Sequence, residues 1–144
     1  MVFELLTGDF LFEPRKGYYY DKDDDHLAQM VELLGPMPKN FALSGKNSRR
    51  FFDSTGHLRR IRGLNYWPLH RVLTEKYRFR PSESEALSDF LSQMLTWYPD
   101  KRATAQEILE HPWLKMPRNN DYRMGDEEYE QMMSVIKNKE EAEK

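Results

Sequence analysis

The sequence predicts a mainly α-helical chain, and three observations carry that expectation. Apolar residues recur at i, i+3, i+4 and i+7 in several windows, the spacing that lines one face of a helix. Two S/T-x-x-E signatures, Ser82 with Glu85 and Thr104 with Glu107, each stand before such a window, where the paired side chains can bond each other's backbone amides. No window shows convincing strand alternation, and no internal repeat is found.

Residues 1–8, MVFELLTG, read as the end of a helix that is apolar on nearly every side and is stopped by Gly8, which takes a left-handed cap without a Cβ clash. No capping residue precedes it, which leads to the expectation that the chain begins inside this helix. Residues 9–22, with Pro14 and Gly17, connect to a helix expected over 24–34 and ended by Gly35 and Pro36. Its buried stripe is expected to be Leu27, Met30, Val31 and Leu34. Asp25, Gln29 and Glu32 fall on the opposite face, so that two carboxylates share one exposed strip, since seven residues at about 100° each nearly close two turns. Residues 36–66 read as an irregular insert carrying short helical turns. Three further helices are expected, over 68–77, from Ser82 through the stripe Leu87, Phe90, Leu91, Met94 and Leu95, and from Thr104 to His111 and Pro112. Residues 118–144 hold eight acidic and five basic residues and one stripe, Tyr129, Met132, Met133 and Ile136, the pattern of one amphipathic helix docking on the body.

Composition narrows the function classes. A chain of 144 residues can bury one hydrophobic core, and 39% hydrophobic with 13% aromatic residues argues against a wholly disordered protein. The 22 Lys and Arg nearly balance the 24 Asp and Glu, so there is no global attraction to nucleic acid or to an anionic membrane. Without Cys there is no disulfide, thiol nucleophile or Cys-ligated zinc. The opening segment lacks a basic n-region and is too short to span a bilayer, so a soluble chain with no membrane partner is expected. His26, His57, His70 and His111 lack close zinc spacing, and Asp23, Asp24 and Asp25 lack the remainder of an EF-hand pattern. His26 and His111 read as packing or capping residues, and the three aspartates as electrostatic support for a helix start.

The stretch WYPDKRATAQEILEHPWL, residues 97–114, resembles the closing segment of the large lobe of eukaryotic protein kinases, with Pro99, the Asp100-Lys101-Arg102 turn, Thr104 and His111-Pro112-Trp113 at the family spacing. Residues 1–14 resemble the later part of that lobe's central helix and the loop after it, and DDDHLAQMVELLGPMPKNF resembles the next helix. Gly8-Asp9 leading to Leu11-Phe12-Glu13-Pro14, the Asp25-His26 pair and Glu75-Lys76-Tyr77 are similar to the SR protein kinases in particular. The resemblance implies a helical C-terminal-lobe fragment of the bilobal protein kinase fold. It also implies a partial kinase domain over 1–117, with 118–144 as a charged tail. At the position of Arg102 kinases carry an Arg that pairs with the Glu of an Ala-Pro-Glu motif; that Glu is absent here, and Arg102 is expected to be structural.

The same resemblance implies a parent serine/threonine kinase that uses ATP and Mg2+ to phosphorylate Arg/Ser-rich proteins of mRNA splicing, in the cytoplasm and nucleus. Its acidic substrate-docking groove maps onto Asp9, Asp25, Glu32 and Lys76. Carboxylates suit such a role, because they accept paired bonds from planar guanidinium groups. The bland alternative is that these are ordinary solvated charges. No G-x-G-x-x-G, H-R-D with a following Asn, D-F-G or A-P-E occurs, so no catalytic, ATP-binding or metal-binding residue is assigned.

Two other readings stay open. A neighbouring subfamily, the Cdc2-like kinases, shares the L-G-P-x-P-K pattern. A non-catalytic protein- or RNA-binding module could use the basic insert over 46–62, where Lys46, Arg49, Arg50, Arg59, Arg60 and Arg62 interleave with Phe51 and Phe52. The expectation there is that the aromatics pack inward while the arginines stay solvated or meet acidic neighbours. Because Val2, Phe3, Leu5 and Leu6 expose apolar surface at the chain start, the isolated chain is expected to be marginally stable or aggregation-prone.

Overall fold

The computed structural model describes residues 1–116 and 121–142; of the tail expected over 118–144, residues 118–120 and 143–144 lie outside the described residues. Among the described residues there is no strand, only isolated bridges pairing Phe52 with Leu58 and Phe79 with Arg123. The chain forms two compact units, Met1–Pro68 with Gln93–Ala103, and Leu69–Ser92 with Thr104–Lys144.

In the first unit, α1 (Val2–Thr7) ends at Gly8, whose φ of 84° is the left-handed cap the sequence predicts. Phe3 is buried, whereas Leu5 is 78% exposed. Helix α2 spans Lys22–Leu34, two residues longer at its start than expected. The reason is a capping box that sequence reading did not find: Asp21 accepts from the amides of Asp23 and Asp24, and Asp24 accepts from the Asp21 amide in return. The Asp24 amide, above the other contacts, holds the Asp21 carboxyl below its usual pKa. The buried stripe also needs correction. Asp24 and Ala28 are the buried residues of α2, while Leu27, Met30, Val31 and Leu34 are only partly buried.

The insert after α2 carries short helical turns, as expected, and they are two: α3 (Lys39–Ala42) and α4 (Ser48–Phe51). Ala28, Ala42, Phe52 and Leu58 form its core, with Leu27, Met37, Leu43, Phe51, Ile61 and Leu64 packed around them. Phe41 stacks edge-on against Tyr98, with centroids 5.2 Å apart, and lies near Trp97. A 3-10 turn at Pro99–Lys101 precedes Arg102.

In the second unit the helix expected over 68–77 divides into α5 (Leu69–Arg71) and a π-helical segment at Val72–Lys76. Helix α6 runs from Pro81 to Leu95, crossing the boundary between the units. The Ser82–Glu85 capping box is not formed: Ser82 lies inside the first turn, and among the described residues no hydrogen bond joins the pair. Proline starts the helix instead, its φ preset and its missing N–H costing nothing at the first position. Ser84, Leu87, Phe90 and Leu91 are buried on α6, while Met94 and Leu95 are half-buried.

Helix α7 (Ala105–Leu109) has the Thr104–Glu107 box complete, and the Thr104 amide holds the Glu107 carboxyl below its usual pKa. Helix α8 (Pro112–Lys115) is capped by His111, whose Nδ1 accepts from the Trp113 amide. Trp113 packs on Phe90 at 4.7 Å and donates from Nε1 to Glu83. Helix α9 (Asp126–Ala142) completes the unit, and Tyr129, Met132, Met133 and Ile136 are half-buried along it.

Candidate functional site

Asp25 and Glu32 project from one side of α2, as their spacing requires, but that side is not a free strip. Asp25 is half-buried, and its Oδ2 accepts from the Arg15 amide at 2.8 Å and from Gln29 Nε2 at 2.7 Å. Gln29 reads both polar groups of Glu13, donating to its carbonyl and accepting from its amide at 3.0 Å. His26 packs its ring on Phe12 at 5.4 Å. One turn on, Glu32 Oε1 accepts from the Asn65 amide at 3.1 Å, and the Glu32 carbonyl accepts from the Trp67 amide. The polar face of α2 is thus a clasp, holding residues 13–15 at one end and 65–67 at the other.

This geometry has a physical cause. The segment over 12–15 contains Pro14 and makes no ladder, so its amides need acceptors, and a helix side with Asp, Gln and Glu at i, i+4 and i+7 supplies them. Each carboxylate spends one oxygen in this way. Among the described residues, Asp25 Oδ1 and Glu32 Oε2 have no protein partner, and an ionised carboxylate can accept about four bonds. Two acceptor oxygens on one helix side therefore remain for a donor-rich ligand.

Asp9 is exposed immediately after the Gly8 cap, where its amide donates to Thr7 Oγ1. Lys76 lies in the second unit, exposed at the end of the π segment, with Nζ 4.9 Å from the Tyr77 ring centroid. Arg102 turns back toward the end of α6, donating from Nε to the Thr96 carbonyl at 2.7 Å and from Nη2 to the Trp97 carbonyl. Both carbonyls lie just past Leu95, the last residue of α6, so the contact ties Arg102 to the turn that leaves the helix.

Asp24 is the residue sequence reading valued too little. It is 1% exposed and pairs with Arg60 at 2.8 Å while closing the Asp21 box. The D-x-x-D spacing from Asp21 was the available signal. The basic insert is largely committed inside its own unit. Arg50 pairs with Asp21, Arg60 with Asp24 and Arg62 with Asp53, and Arg59 Nε donates to the carbonyls of Arg49 and Phe52. Phe52 is buried and Phe51 packs on the core. Among the described residues no group of three or more His, Cys, Asp or Glu is placed to hold a metal ion, and no helix is long and apolar enough to cross a membrane.

Comparison with protein-family models finds no match. Individual proteins match strongly. The chain is 56% identical over 115 residues to the serine/threonine-protein kinase SKY1 of Saccharomyces cerevisiae, covering 80% of this chain and 16% of that protein. It is 55% identical over 115 residues to the serine/threonine-protein kinase SRPK of Physarum polycephalum, covering 79% and 27%. To human SRSF protein kinase 3 it is 51% identical over 114 residues, covering 79% and 20%. The chain thus spans between 16% and 27% of the length of these curated relatives. With that identity and its mostly helical structure, the chain belongs to the serine/threonine protein kinases of the SR protein kinase family, as a part of their large C-terminal lobe.

Proposed function

We propose that this chain supplies lobe scaffold and a substrate-docking surface to a kinase that transfers the γ-phosphoryl group of ATP, with Mg2+, to serines of Arg/Ser-rich proteins in the cytoplasm and nucleus. The observation that carries the docking part is the pair of oxygens, Asp25 Oδ1 and Glu32 Oε2, left over on one side of α2 after the clasp is made. Guanidinium groups are the natural donors for such oxygens, since their N–H groups fork toward carboxylates. Asp9 adds negative charge in the same unit, and Lys76 joins the set on the resemblance alone. ATP and Mg2+ are the ligands that the family implies for the parent kinase, and no residue of this chain is assigned to either.

An exposed carboxylate–arginine pair contributes about 0.2–1 kcal/mol and a sheltered one about 1.5–3 kcal/mol, so half-buried Asp25 and Glu32 contribute roughly 1 kcal/mol each. Neutralising both as Asp25→Asn and Glu32→Gln, which keeps the clasp oxygens, weakens binding of an Arg/Ser repeat peptide by roughly thirtyfold. Raising salt from about 0.05 to 0.5 M weakens it further. Equal binding by wild type and the double variant, measured by calorimetry at both salt concentrations, would overturn the docking assignment. Loss of RNA binding in an Arg49, Arg50, Arg59 and Arg60 neutralised variant would instead favour the nucleic-acid reading.

A further inference from the structure

We infer that Tyr129 and Arg78 form a latch through which helix α9 holds the π-helical segment, and with it Lys76, in its present conformation. The inference rests on the docking reading only for the purpose Lys76 serves; the latch itself stands on geometry within the second unit. A π turn bonds i to i+5, so it leaves carbonyls at its end poorly served by the helix. Glu75 is next to last in that segment, and its carbonyl accepts from the Tyr129 hydroxyl. Lys76 is the following residue.

Arg78, two residues after Lys76, carries the second half of the latch. Arg78 has φ 59°, the one non-glycine residue with positive φ among the described residues, a conformation that costs energy unless its surroundings hold it. The surroundings come from residues 121–129. The Met124 amide donates to the Arg78 carbonyl at 2.7 Å, the Arg78 guanidinium lies 4.5 Å from the Tyr129 ring centroid, and the same guanidinium bonds Asp126. Arg80 continues the pattern. Its amide donates to the Tyr122 carbonyl, and its guanidinium meets both Asp121 oxygens and Glu128. At the far end of α9, Glu140 pairs with Arg71 at 2.8 Å, and Arg71 also holds Glu75.

Apolar packing attaches α9 only in part: Tyr129, Met132, Met133 and Ile136 are half-buried, no residue of α9 is buried, and an open cleft of about 270 Å³ is bounded by Arg71, Glu75, Met133 and Ile136. Polar groups add to that packing, and they converge on Glu75 in the π segment and on Arg78 just beyond it. Tyr129 is a positioning residue for Lys76, acting through the Glu75 carbonyl.

The test is residue-resolved amide exchange by NMR on the 144-residue chain, with Tyr129→Phe, which keeps the ring under Arg78 and removes only the hydroxyl. Exchange at residues 76–79 is expected to rise about fivefold, the size of one lost hydrogen bond, while Leu87, Phe90 and Leu91 of α6 are unchanged. An unchanged 76–79 segment, or an equal rise in α6, overturns the latch. Should Tyr129→Phe fail to fold, Asp126→Asn with Glu128→Gln alters only exposed carboxylates and carries the same expectation and the same refutation. A parallel titration with an Arg/Ser peptide on Lys76→Ala separates the two readings. If Lys76→Ala binds like wild type while Tyr129→Phe still loosens 76–79, the docking role of Lys76 falls and the latch stands; if 76–79 does not loosen, the latch falls whatever the peptide does.

Discussion

The polar face of α2 and the arginine-rich stretch over 71–80 solve the same problem with opposite chemistry. Each must tie an irregular segment to its own unit. On α2, half-buried helix carboxylates and an amide side chain accept from the neutral backbone amides of Glu13, Arg15 and Asn65. In the other unit, arginines of the stretch itself reach exposed carboxylates of the tail, with Asp126 86% exposed in its side chain. The first arrangement uses hydrogen bonds in which one partner is neutral, so salt barely touches it. The second uses ion pairs at the surface, where screening acts over about 10 Å at 0.1 M. The units should therefore respond differently to the same perturbation.

The largest effect is expected at the deepest charge. Asp24→Ala removes the partner of Arg60 and half of the Asp21 box, and should cost about 3 kcal/mol, the low end for a broken buried pair because Arg60 can regain water. The midpoint of urea unfolding measures it; a loss under about 1 kcal/mol would mean Asp24 is dispensable to α2. Next comes Asp25→Ala, which strands the Arg15 amide and the Gln29 side chain and should cost about 1–2 kcal/mol. Asp25→Asn should stay within about 0.5 kcal/mol of wild type, since its oxygen can still accept. If the two variants were equally stable, the clasp would not be structural.

Salt sharpens the contrast directly. Between about 0.05 and 1 M NaCl, amide exchange in α9 should rise severalfold while residues 25–32 of α2 change little. Equal responses would erase the distinction drawn between the two regions. Acid gives the smallest effect. Asp21 and Glu107 both have folded pKa values below their ordinary ones, so the stability they contribute is present above the ordinary carboxylate range and is lost as pH falls through the depressed folded values. Unfolding midpoints should be level from about pH 7 to 5 and drop below about pH 4. A steady rise in stability on acidification would contradict both capping boxes.

Much of this was legible in the residues. The Gly8 stop, the Thr104–Glu107 box, the His111 cap, the inward Phe52 and the stripe Tyr129, Met132, Met133 and Ile136 are local patterns, set by bonds within a few residues or by one helical period. The Ser82 box failed because Pro81 is the stronger start, a competition between two local signals that spacing alone does not rank. The family resemblance was legible as well, because it lives in short motifs whose order and spacing survive in any linear reading.

What the sequence by itself determined is the family, the helical character and which residues could face one another along a helix. Only the tertiary structure decided which of those faces meet something. Asp25 and Glu32 looked like an exposed strip because periodicity places two residues on one side of a helix but is silent about what approaches that side. Arg15 and Asn65 do, and the amide of each occupies one carboxylate oxygen, on Asp25 and Glu32 respectively. Likewise nothing local tells that Tyr129 reaches the Glu75 carbonyl, a contact between residues 54 apart in sequence. Contacts of that separation are set by how elements pack, and packing is a property of all the elements at once.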